Sequence, residues 1–505
     1  MKKIIRTTSL FLLFAILLSS LISCGGDKSA FEKMDDREKV KYAVEKTDKY
    51  YEKSLQQHAE ISCEVTGEVN GVAIKMEIDG TSTRTVTNGD TDKMRYVNVS
   101  EVKSVTRTGT EKETENYKDV TAFIDGYMYM GHDTDKKNTP DTFLKSPISA
   151  DDFTDFFKKS QIVTEEPDYW QICDNVTVTL SEDGKIYTVR ITHGADNVNE
   201  ELTKVTNELT SSFGIKFDLV SLELEYTVDA KKLIISEGKI KFETETPKFG
   251  DDQLKFTYES VITSDIPEES EPTIENIDNY VETGDLRYAQ FLINRLNGLI
   301  SADSIGYTLI SSAEAESGGQ VVSELEETDK INCGYKNGIY VYSIDANANM
   351  AGQEYDIDLI YNGSQQKVSI TGGGSQTTET NEILARMYLI NLLNPVLITT
   401  GDITSVTVKE TKDDVTTVEF KLVFGDKFAE RFESMGLSAD ITNGSARMIV
   451  EFDKDMNVIS VKFKVSGDCV TMGQSFSIKG ETILKDFTDG DVSAINPVKY
   501  GSSDL

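Results

Sequence analysis

The sequence predicts an α+β protein made of two tandem copies of a curved, half-barrel-like antiparallel sheet with packed helices. Runs of alternating apolar and polar residues recur through both halves of the 505-residue chain, as half-buried strands require. Each half begins with a stretch whose apolar residues recur every three or four positions, as in an amphipathic helix. An acidic stretch separates the halves, and the order of elements before it returns after it.

The chain opens with a basic head, an apolar run and an exit of small residues. Lys2, Lys3 and Arg6 precede residues 10–18, none of which is polar, and Leu21-Ile22-Ser23-Cys24 follows. This order is typical of an export signal. The apolar run is shorter than the stretch of about 20 apolar residues that a membrane-spanning helix needs.

Leu21-Ile22-Ser23-Cys24 resembles the lipobox of bacterial lipoproteins, in which an aliphatic residue and two spacers, the second of them small, precede a cysteine. The resemblance implies that Cys24 becomes the mature N-terminus and carries the lipid. The rest of the chain is then expected to be exported and anchored to the outer face of the cell membrane by that lipid.

The first half begins with a helix predicted from about Asp35 or Asp36 to Gln57. Alternating strands then surround Asn70-Gly71 and Asp125-Gly126, pairs that favour tight hairpin turns because both residues adopt positive φ. Two further helices are predicted between strands, one capped by Ser149 and one with an apolar stripe at residues 198–209.

The second half repeats this order. A helix from about residue 285 to 301 precedes strands that turn at Asn337-Gly338, and a later helix ends before Pro395. The closing hairpins match at a constant shift of 224 residues, so that Tyr226 corresponds to Val450. A repeat of this length indicates a domain duplication, because solenoid repeats are much shorter.

These observations predict the domain boundaries. Pro267 and Pro272 lie in an acidic stretch with few apolar residues, which is typical of a linker. The predicted segments are a signal peptide (1–23), a tether (24–35), a first domain (36–265), an acidic linker (266–282), a second domain (283–488) and a tail (489–505).

The order of helix, curved sheet and packed helices behind a lipobox resembles the LolA/LppX-like envelope proteins. In that family a half-barrel cups helices and carries lipid or another apolar group. The resemblance covers residues 36–265 and 283–488 and implies a concave apolar face in each domain. It includes no residue motif beyond the lipobox, so it assigns no ligand residues.

The composition argues against polyanionic partners. The formal net charge is −34, with 86 acidic residues, so nucleic acid and anionic headgroups are repelled at long range. We expect membrane attachment only through the lipid on Cys24, no nucleic-acid partner, and a monomer.

Histidine chemistry is not indicated. His58, His132 and His193 lie in separate segments without a helical i, i+4 pair, whereas zinc sites and histidine-based catalysis usually need more. We therefore predict no metal site, no cofactor and no catalytic residues. Ser236 and Lys239 match an S-x-x-K motif, but they lie between alternating strands and not at a helix start.

Four cysteines remain once Cys24 is lipidated. Export permits disulfides, and the predicted domain division favours Cys63–Cys173 and Cys333–Cys469. The alternative is four buried free thiols, which are common for isolated cysteines on strands.

Two pairs of aromatic residues occupy matching places in the two halves. Tyr127 and Tyr129 in the first half, and Tyr340 and Tyr342 in the second, each lie two residues apart and so share a sheet face. They form either a ligand groove or cross-strand aromatic packing.

Three functions are consistent with these features. The first is a non-catalytic, membrane-anchored lipoprotein that binds a hydrophobic or envelope ligand. The second is a structural or protein-interaction module of the envelope without a ligand cavity, and the third is an extracytoplasmic hydrolase. An apolar pocket between helices and sheet favours the first over the second, and convergent buried carboxylates in a cleft favour the third.

Overall fold

The computed structural model describes most of the chain after the N-terminal segment, and the structural statements below concern these residues. They are 28–89, 93–135, 141–160, 168–197, 199–210, 214–268, 271–350, 352–394, 396–423, 441–471 and 474–501. The predicted signal peptide (1–23) and Cys24 lie outside them.

The α+β prediction is wrong, because the protein is mostly β. The described residues are 59% strand and 16% helix, and the strands form two large antiparallel sheets. Strands extend far beyond their apolar residues: the stretch Glu111–Ile124 is one strand, although its first residues are polar and exposed. Strand pairing continues through such stretches because backbone hydrogen bonds need no apolar side chain.

The chain divides into two compact units with a boundary between Glu282 and Thr283. The helices of the first unit are α1 (Lys28–Phe31), α2 (Asp36–Tyr51), α3 (Ala150–Ser160), α4 (Tyr169–Ile172) and α5 (Glu200–Leu209). Its strands are β1 (Leu55–Val69), β2 (Val72–Thr87), β3 (Arg95–Thr108), β4 (Glu111–Ile124), β5 (Tyr127–Thr134), β6 (Thr142–Pro147), β7 (Asn175–Leu180), β8 (Ile186–Gly194), β9 (Asp218–Asp229), β10 (Ile235–Glu245), β11 (Gln253–Asp265) and β12 (Val281–Glu282).

These twelve strands form one sheet in the order β12-β6-β5-β4-β3-β2-β1-β11-β10-β9-β8-β7. The first long strand pairs with the last, with Cys63 opposite Tyr258, so β1 and β11 lie at the centre of the sheet. Both predicted hairpin turns are confirmed. At Asn70-Gly71 the φ angles are 53° and 72°, and at Asp125-Gly126 they are 50° and 80°.

The helices of the first unit pack on this sheet. Helix α2 ends at Tyr51, earlier than predicted, because Leu55 already begins β1. The Thr47 hydroxyl accepts a 2.7 Å hydrogen bond from the Ile235 backbone N–H, which fixes α2 against β10. Helix α3 starts at the predicted cap, and its Phe153 ring stacks on Phe123 at 4.9 Å.

Part of the segment predicted as a linker packs on the first sheet. Ile274 and Tyr280 are buried against Tyr129, Val120 and neighbouring apolar residues. Strand β12 then pairs in parallel with β6. Ile274 and Tyr280 are apolar residues in an otherwise acidic stretch. Burial of their side chains on the sheet explains why this segment packs there.

The second unit has helices α6 (Arg287–Ser301) and α7 (Glu382–Leu393). Its strands are β13 (Ile305–Ser317), β14 (Gln320–Lys336), β15 (Ile339–Met350), β16 (Gln353–Tyr361), β17 (Gln365–Ile370), β18 (Ser375–Glu379), β19 (Ile403–Lys412), β20 (Val415–Leu422), β21 (Ile441–Phe452), β22 (Val458–Thr471) and β23 (Gln474–Thr488). The sheet order is β18-β17-β16-β15-β14-β13-β23-β22-β21-β20-β19, again with the first strand beside the last.

Residues after β23, predicted as a tail, also lie on the second unit. Ile495 is buried, and its carbonyl accepts a 2.7 Å hydrogen bond from Lys336 Nζ. The backbone N–H of Val498 donates to the Asn362 carbonyl at 2.7 Å.

Cys63, Cys173, Cys333 and Cys469 are buried free thiols, which is the second of the two alternatives for the cysteines. A search of the described helices found none long and apolar enough to cross a membrane.

Candidate ligand pocket in the second unit

A cavity of about 300 Å³ lies between helix α7 and strands β14 to β18. Its lining combines aliphatic side chains with a few polar groups, as ligand pockets usually do. Representative lining residues are Glu327 and Asp329 from β14, Ile344 from β15, Leu359 from β16, and Tyr388 and Leu392 from α7.

Helix α7 covers the cavity because its N-terminal half is firmly attached to the sheet. Asn381 caps it, with its side-chain oxygen accepting a 3.0 Å hydrogen bond from the Leu384 N–H. The helix is apolar on several faces and buries Ile383, Met387 and Leu393. An all-round apolar helix is expected where several layers of protein surround it.

A buried arginine attaches α7 to strand β14. Arg386 is 4% exposed, and its Nε donates to Glu382 at 3.0 Å while Nη2 donates to the Tyr335 hydroxyl at 2.9 Å. Tyr335 in turn donates to Glu382 at 2.7 Å, and the guanidinium lies 3.9 Å from the centre of the Tyr340 ring. The charge is thus paired, hydrogen-bonded and covered by an aromatic face.

Two carboxylates of β14 line the cavity. Glu327 and Asp329 have the same alternation phase as Ile331 and Cys333, so all four point to the covered face of the sheet. Asp329 is only 5% exposed. Burial first, and then the negative charge of Glu327, raise the pKa of Asp329 to about 7. Burial also raises the pKa of Glu327.

Tyr388 is another polar residue of the cavity, whose lining also includes Gln366, Gln376 and Thr378. Its ring stacks on Tyr342 with a centroid distance of 6.3 Å and an interplanar angle of 7°. Burial, followed by the charges of Asp329 and Glu327, raises the pKa of Tyr388. Tyr388 and both carboxylates line the same cavity. Two acids and one aromatic ring therefore converge on an otherwise largely aliphatic space.

The four tyrosines predicted from the sequence occupy packed positions. Tyr129 is buried edge-on against Tyr280 at 5.3 Å, and Tyr127 lies beside it at 6.4 Å. Tyr340 is covered by Arg386, and Tyr342 is fully buried. Only Tyr342 approaches the cavity, through its stacking on Tyr388.

The other sequence motifs have structural roles. Asp453 accepts backbone hydrogen bonds of 2.8 Å from Asp455 and Asn457, which closes the turn between β21 and β22. His132 Nδ1 lies 2.7 Å from Asp119 Oδ1, and His193 Nε2 lies 2.7 Å from the Asn197 carbonyl oxygen. Within the described ranges no group of three or more His, Cys, Asp or Glu side chains is arranged to hold a metal ion.

Two wider hollows of about 800 Å³, one on each sheet, are poorer candidates. Their linings carry many charged side chains, which largely pair across strands. Lys464 contacts Glu481 at 2.7 Å, and Lys479 contacts Glu316 at 2.6 Å. Exposed pairs of this kind contribute roughly 0–1 kcal/mol each and provide no enclosed space.

The sequence analysis missed Glu327, Asp329 and Tyr388. A signal existed in β14, where two acids occupy positions in phase with the apolar residues Leu325, Ile331 and Cys333. The chain has 86 acidic residues, and only this alternation with apolar residues distinguishes Glu327 and Asp329 from the acids on solvated faces.

Neither a protein-family model nor a curated protein matches this chain. Among solved structures, the translocator domain of the autotransporter NalP from Neisseria meningitidis is 7% identical, with 91% of this chain and 98% of that chain covered and a TM-score of 0.12. OccK5 (OpdH) of Pseudomonas aeruginosa is 6% identical, with 86% and 98% covered and a TM-score of 0.13. A β-barrel-like protein with a domain of unknown function from Brucella abortus is 14% identical, with 42% and 98% covered and a TM-score of 0.12. TM-scores this low carry no argument about fold or function.

Proposed function

We propose that this protein is a non-catalytic lipoprotein that binds a small hydrophobic ligand at the outer face of the cell membrane. The ligand site is the cavity under α7 in the second unit. An apolar cavity of about 150 Å³ is large enough to bind benzene, so a cavity of about 300 Å³ has room for a small organic ligand. The single observation that carries the proposal is this partly enclosed, largely aliphatic space between helix and sheet.

The alternative of an envelope module with a solid core is less well supported by that observation. A helix that only stabilised the sheet would close against it, because protein interiors are packed to the density of organic crystals. The attachment of α7 through Arg386, in the N-terminal half of the helix, leaves Tyr388 and Leu392 above an open volume.

Mass spectrometry under native conditions tests the ligand site. The protein is purified from the cells that make it and sprayed gently, and we expect an adduct that organic extraction removes. Ala346 of β15 also lines the cavity, so the substitution Ala346→Phe places a ring in the ligand space and should abolish the adduct. Ile360→Phe, at an exposed position of the neighbouring strand β16, is the matched control and should retain it. A bare protein in every preparation, or an adduct that survives Ala346→Phe, contradicts the proposed site.

The proposed anchor rests on the N-terminal sequence. A basic head, a short apolar run and the lipobox-like residues before Cys24 all support it. In cells fed an alkyne-bearing palmitate analogue, we expect the wild-type chain to be labelled and to sediment with membranes. Cys24→Ala should lose both properties, whereas Ser19→Ala, outside the lipobox-like residues, should keep them. Membrane attachment of Cys24→Ala equal to that of wild type would refute the lipid anchor.

One observation favours a second candidate function, an extracytoplasmic hydrolase. Glu327 and Asp329 are adjacent acids with raised pKa values in a cleft, a combination that acid–base catalysts share. Turnover of a panel of chromogenic esters and glycosides, lost in the variant Glu327→Gln/Asp329→Asn, would establish this function in place of the first.

A further inference from the structure

We propose that the cavity under α7 selects ligands whose apolar body carries a protonated amine, with Glu327 and Asp329 accepting the hydrogen bonds of the ammonium group. This inference rests on the proposed function, because it uses the same cavity. It goes further by assigning the chemical class of the ligand and the two residues that recognise it.

The first argument is that Asp329 is buried without a hydrogen-bond or ion-pair partner among the residues that the structure describes. Its side chain is 95% buried, lines the cavity, and makes no hydrogen bond or ion pair with another residue in the described part of the chain. A buried carboxylate without a partner is strongly unfavourable, so proteins usually pair it. The missing partner is a donor on the cavity side, and an ammonium group supplies up to three N–H donors and a positive charge.

The second argument is the composition of the lining. Glu327 lies two residues before Asp329 on the same face, and none of the residues that line the cavity is basic. The nearby Arg386 is already engaged by Glu382 and Tyr335. The ring of Tyr388 adds a face that attracts cations, because its π-system is negative. The overall charge of −34 attracts cations at long range as well.

A metal ion fits this site less well than an ammonium group. Calcium takes six to eight oxygen ligands, and magnesium needs near-octahedral geometry. The lining supplies two carboxylates, and its other polar side chains (Gln366, Gln376, Thr378 and Tyr388) are neutral. The described residues contain no group of three or more His, Cys, Asp or Glu side chains that could hold a metal ion. Two acids and an aromatic ring above an apolar space suit an organic cation.

The comparison with the first unit shows that the acid pair is not a requirement of the fold. In the first unit, the second strand, β2, faces helix α3, which follows β6. In the second unit, the second strand, β14, faces helix α7, which follows β18. In the second unit that strand presents Asp329 to α7. In the first it presents Arg84, which lies 5.6 Å from the ring of Phe157 on α3 and 5.8 Å from the ring of Tyr96. The second strand of the first unit thus presents a cation to its helix, so the acid pair of β14 is not a general feature of this arrangement.

The ionisation of the site makes binding depend on pH. The titratable groups that face Asp329 are Glu327 on its own strand, Tyr388 on α7 and Tyr307 on β13. Burial and Glu327 raise the pKa of Asp329 to about 7 in the free protein. An ammonium ligand needs the ionised form, so its affinity should increase as the pH rises from about 6 to 8, with release of a proton on binding below pH 7.

The test compares three ligands of nearly equal size that differ in charge: 2-phenylethylammonium, 2-phenylethanol and phenylacetate. Isothermal titration calorimetry uses the mature, lipidated chain in nanodiscs, with empty nanodiscs as the blank. We expect the ammonium compound to bind at least tenfold more tightly than the alcohol, and phenylacetate to bind more weakly than both.

Three substitutions identify the residues responsible. Asp329→Asn and Glu327→Gln should each weaken binding of the ammonium compound at least tenfold and change the affinity for the alcohol less than threefold. Glu326→Gln, an exposed acid on the opposite face of the same strand, is the matched control and should change neither. Retained binding of the alcohol also shows that each variant has kept its fold and its cavity.

The outcomes separate this inference from the proposed function. Equal binding of the ammonium compound and the alcohol, unchanged by Asp329→Asn, would overturn the assignment to amines and leave a hydrophobic ligand site standing. Binding of none of the three compounds would overturn both. Loss of selectivity in Glu326→Gln as well as in Asp329→Asn would assign the preference to general surface charge and overturn the inference.

Discussion

At the scale of single residues, buried carboxylates without partners stand out in both units. Both carboxylate oxygens of Asp48 on α2 are buried and accept no hydrogen bond from the described residues. Asp329 on β14 is 5% exposed and makes no hydrogen bond or ion pair among the described residues. Burial, with a smaller contribution from Glu45, raises the pKa of Asp48 to about 7. Asp329 lines the cavity under α7, whereas Asp48 lies on α2, where we expect it to affect the stability of the fold.

Asp48 should make the stability of the protein depend on pH. Its pKa in the folded chain is about 7, above the ordinary value of 3.8, so the folded state holds the proton more tightly than the unfolded state. The free energy of unfolding therefore falls as the pH rises from about 4 through 7. Asp48→Asn should remove part of this loss and stabilise the protein at pH 8 by about 1 kcal/mol, with little effect at pH 4.

Thermal unfolding at several pH values measures this effect. Glu52→Gln, an exposed acid just after the same helix, is the control and should leave the pH profile unchanged. An Asp48→Asn profile parallel to that of wild type would show that Asp48 is ionised and accommodated in the folded protein.

At the scale of secondary-structure elements, the attachment of α7 decides whether the cavity exists. Arg386, Glu382 and Tyr335 form a closed set of hydrogen bonds at the N-terminal end of the helix. Removing one partner of a buried ion pair leaves the other charge uncompensated. The cluster therefore matters for stability mainly through the penalty of breaking it.

Arg386→Met should destabilise the protein by roughly 3–5 kcal/mol, because Glu382 then remains near-buried without its cation. Glu382→Gln in the same chain should recover part of that loss, since the neutral amide no longer needs a counter-charge. Urea unfolding followed by circular dichroism measures both variants. Arg447→Met, at an exposed arginine of β21, is the control. A midpoint for Arg386→Met equal to that of the control would show that α7 is held by its apolar contacts alone.

At the scale of the whole molecule, the net charge of −34 dominates the electrostatics. Many lysines and arginines form cross-strand ion pairs with glutamates, such as Arg190 with Glu225 at 2.8 Å, but the acids greatly outnumber them. Self-repulsion of this kind destabilises the compact state and is screened by salt.

Raising the salt concentration from 0.01 M to 0.5 M should therefore increase the melting temperature by several degrees, because the Debye length falls from about 30 Å to a few Å. Differential scanning calorimetry in sodium chloride and in choline chloride measures the shift. Equal shifts in the two salts indicate screening. A lower melting temperature at high salt would mean that the ion pairs outweigh the repulsion.

The sequence by itself determined the local features of this protein. Asn70-Gly71 and Asp125-Gly126 form the predicted turns, because their positive φ angles are a property of those residues alone. Ser149 likewise caps α3 as predicted. The tertiary structure decided the rest: the length of strands such as β4, which backbone pairing extends through polar residues, and hence the mostly β fold.

The tertiary structure also decided which acids matter. Glu327 and Asp329 are two of 86 acidic residues, and their neighbours in sequence are polar residues typical of an exposed strand. They become a pair in a cavity only because α7, 53 residues further on, lies over that face of β14. Burial under a distant element sets the protonation of a side chain, and the local sequence does not contain that information.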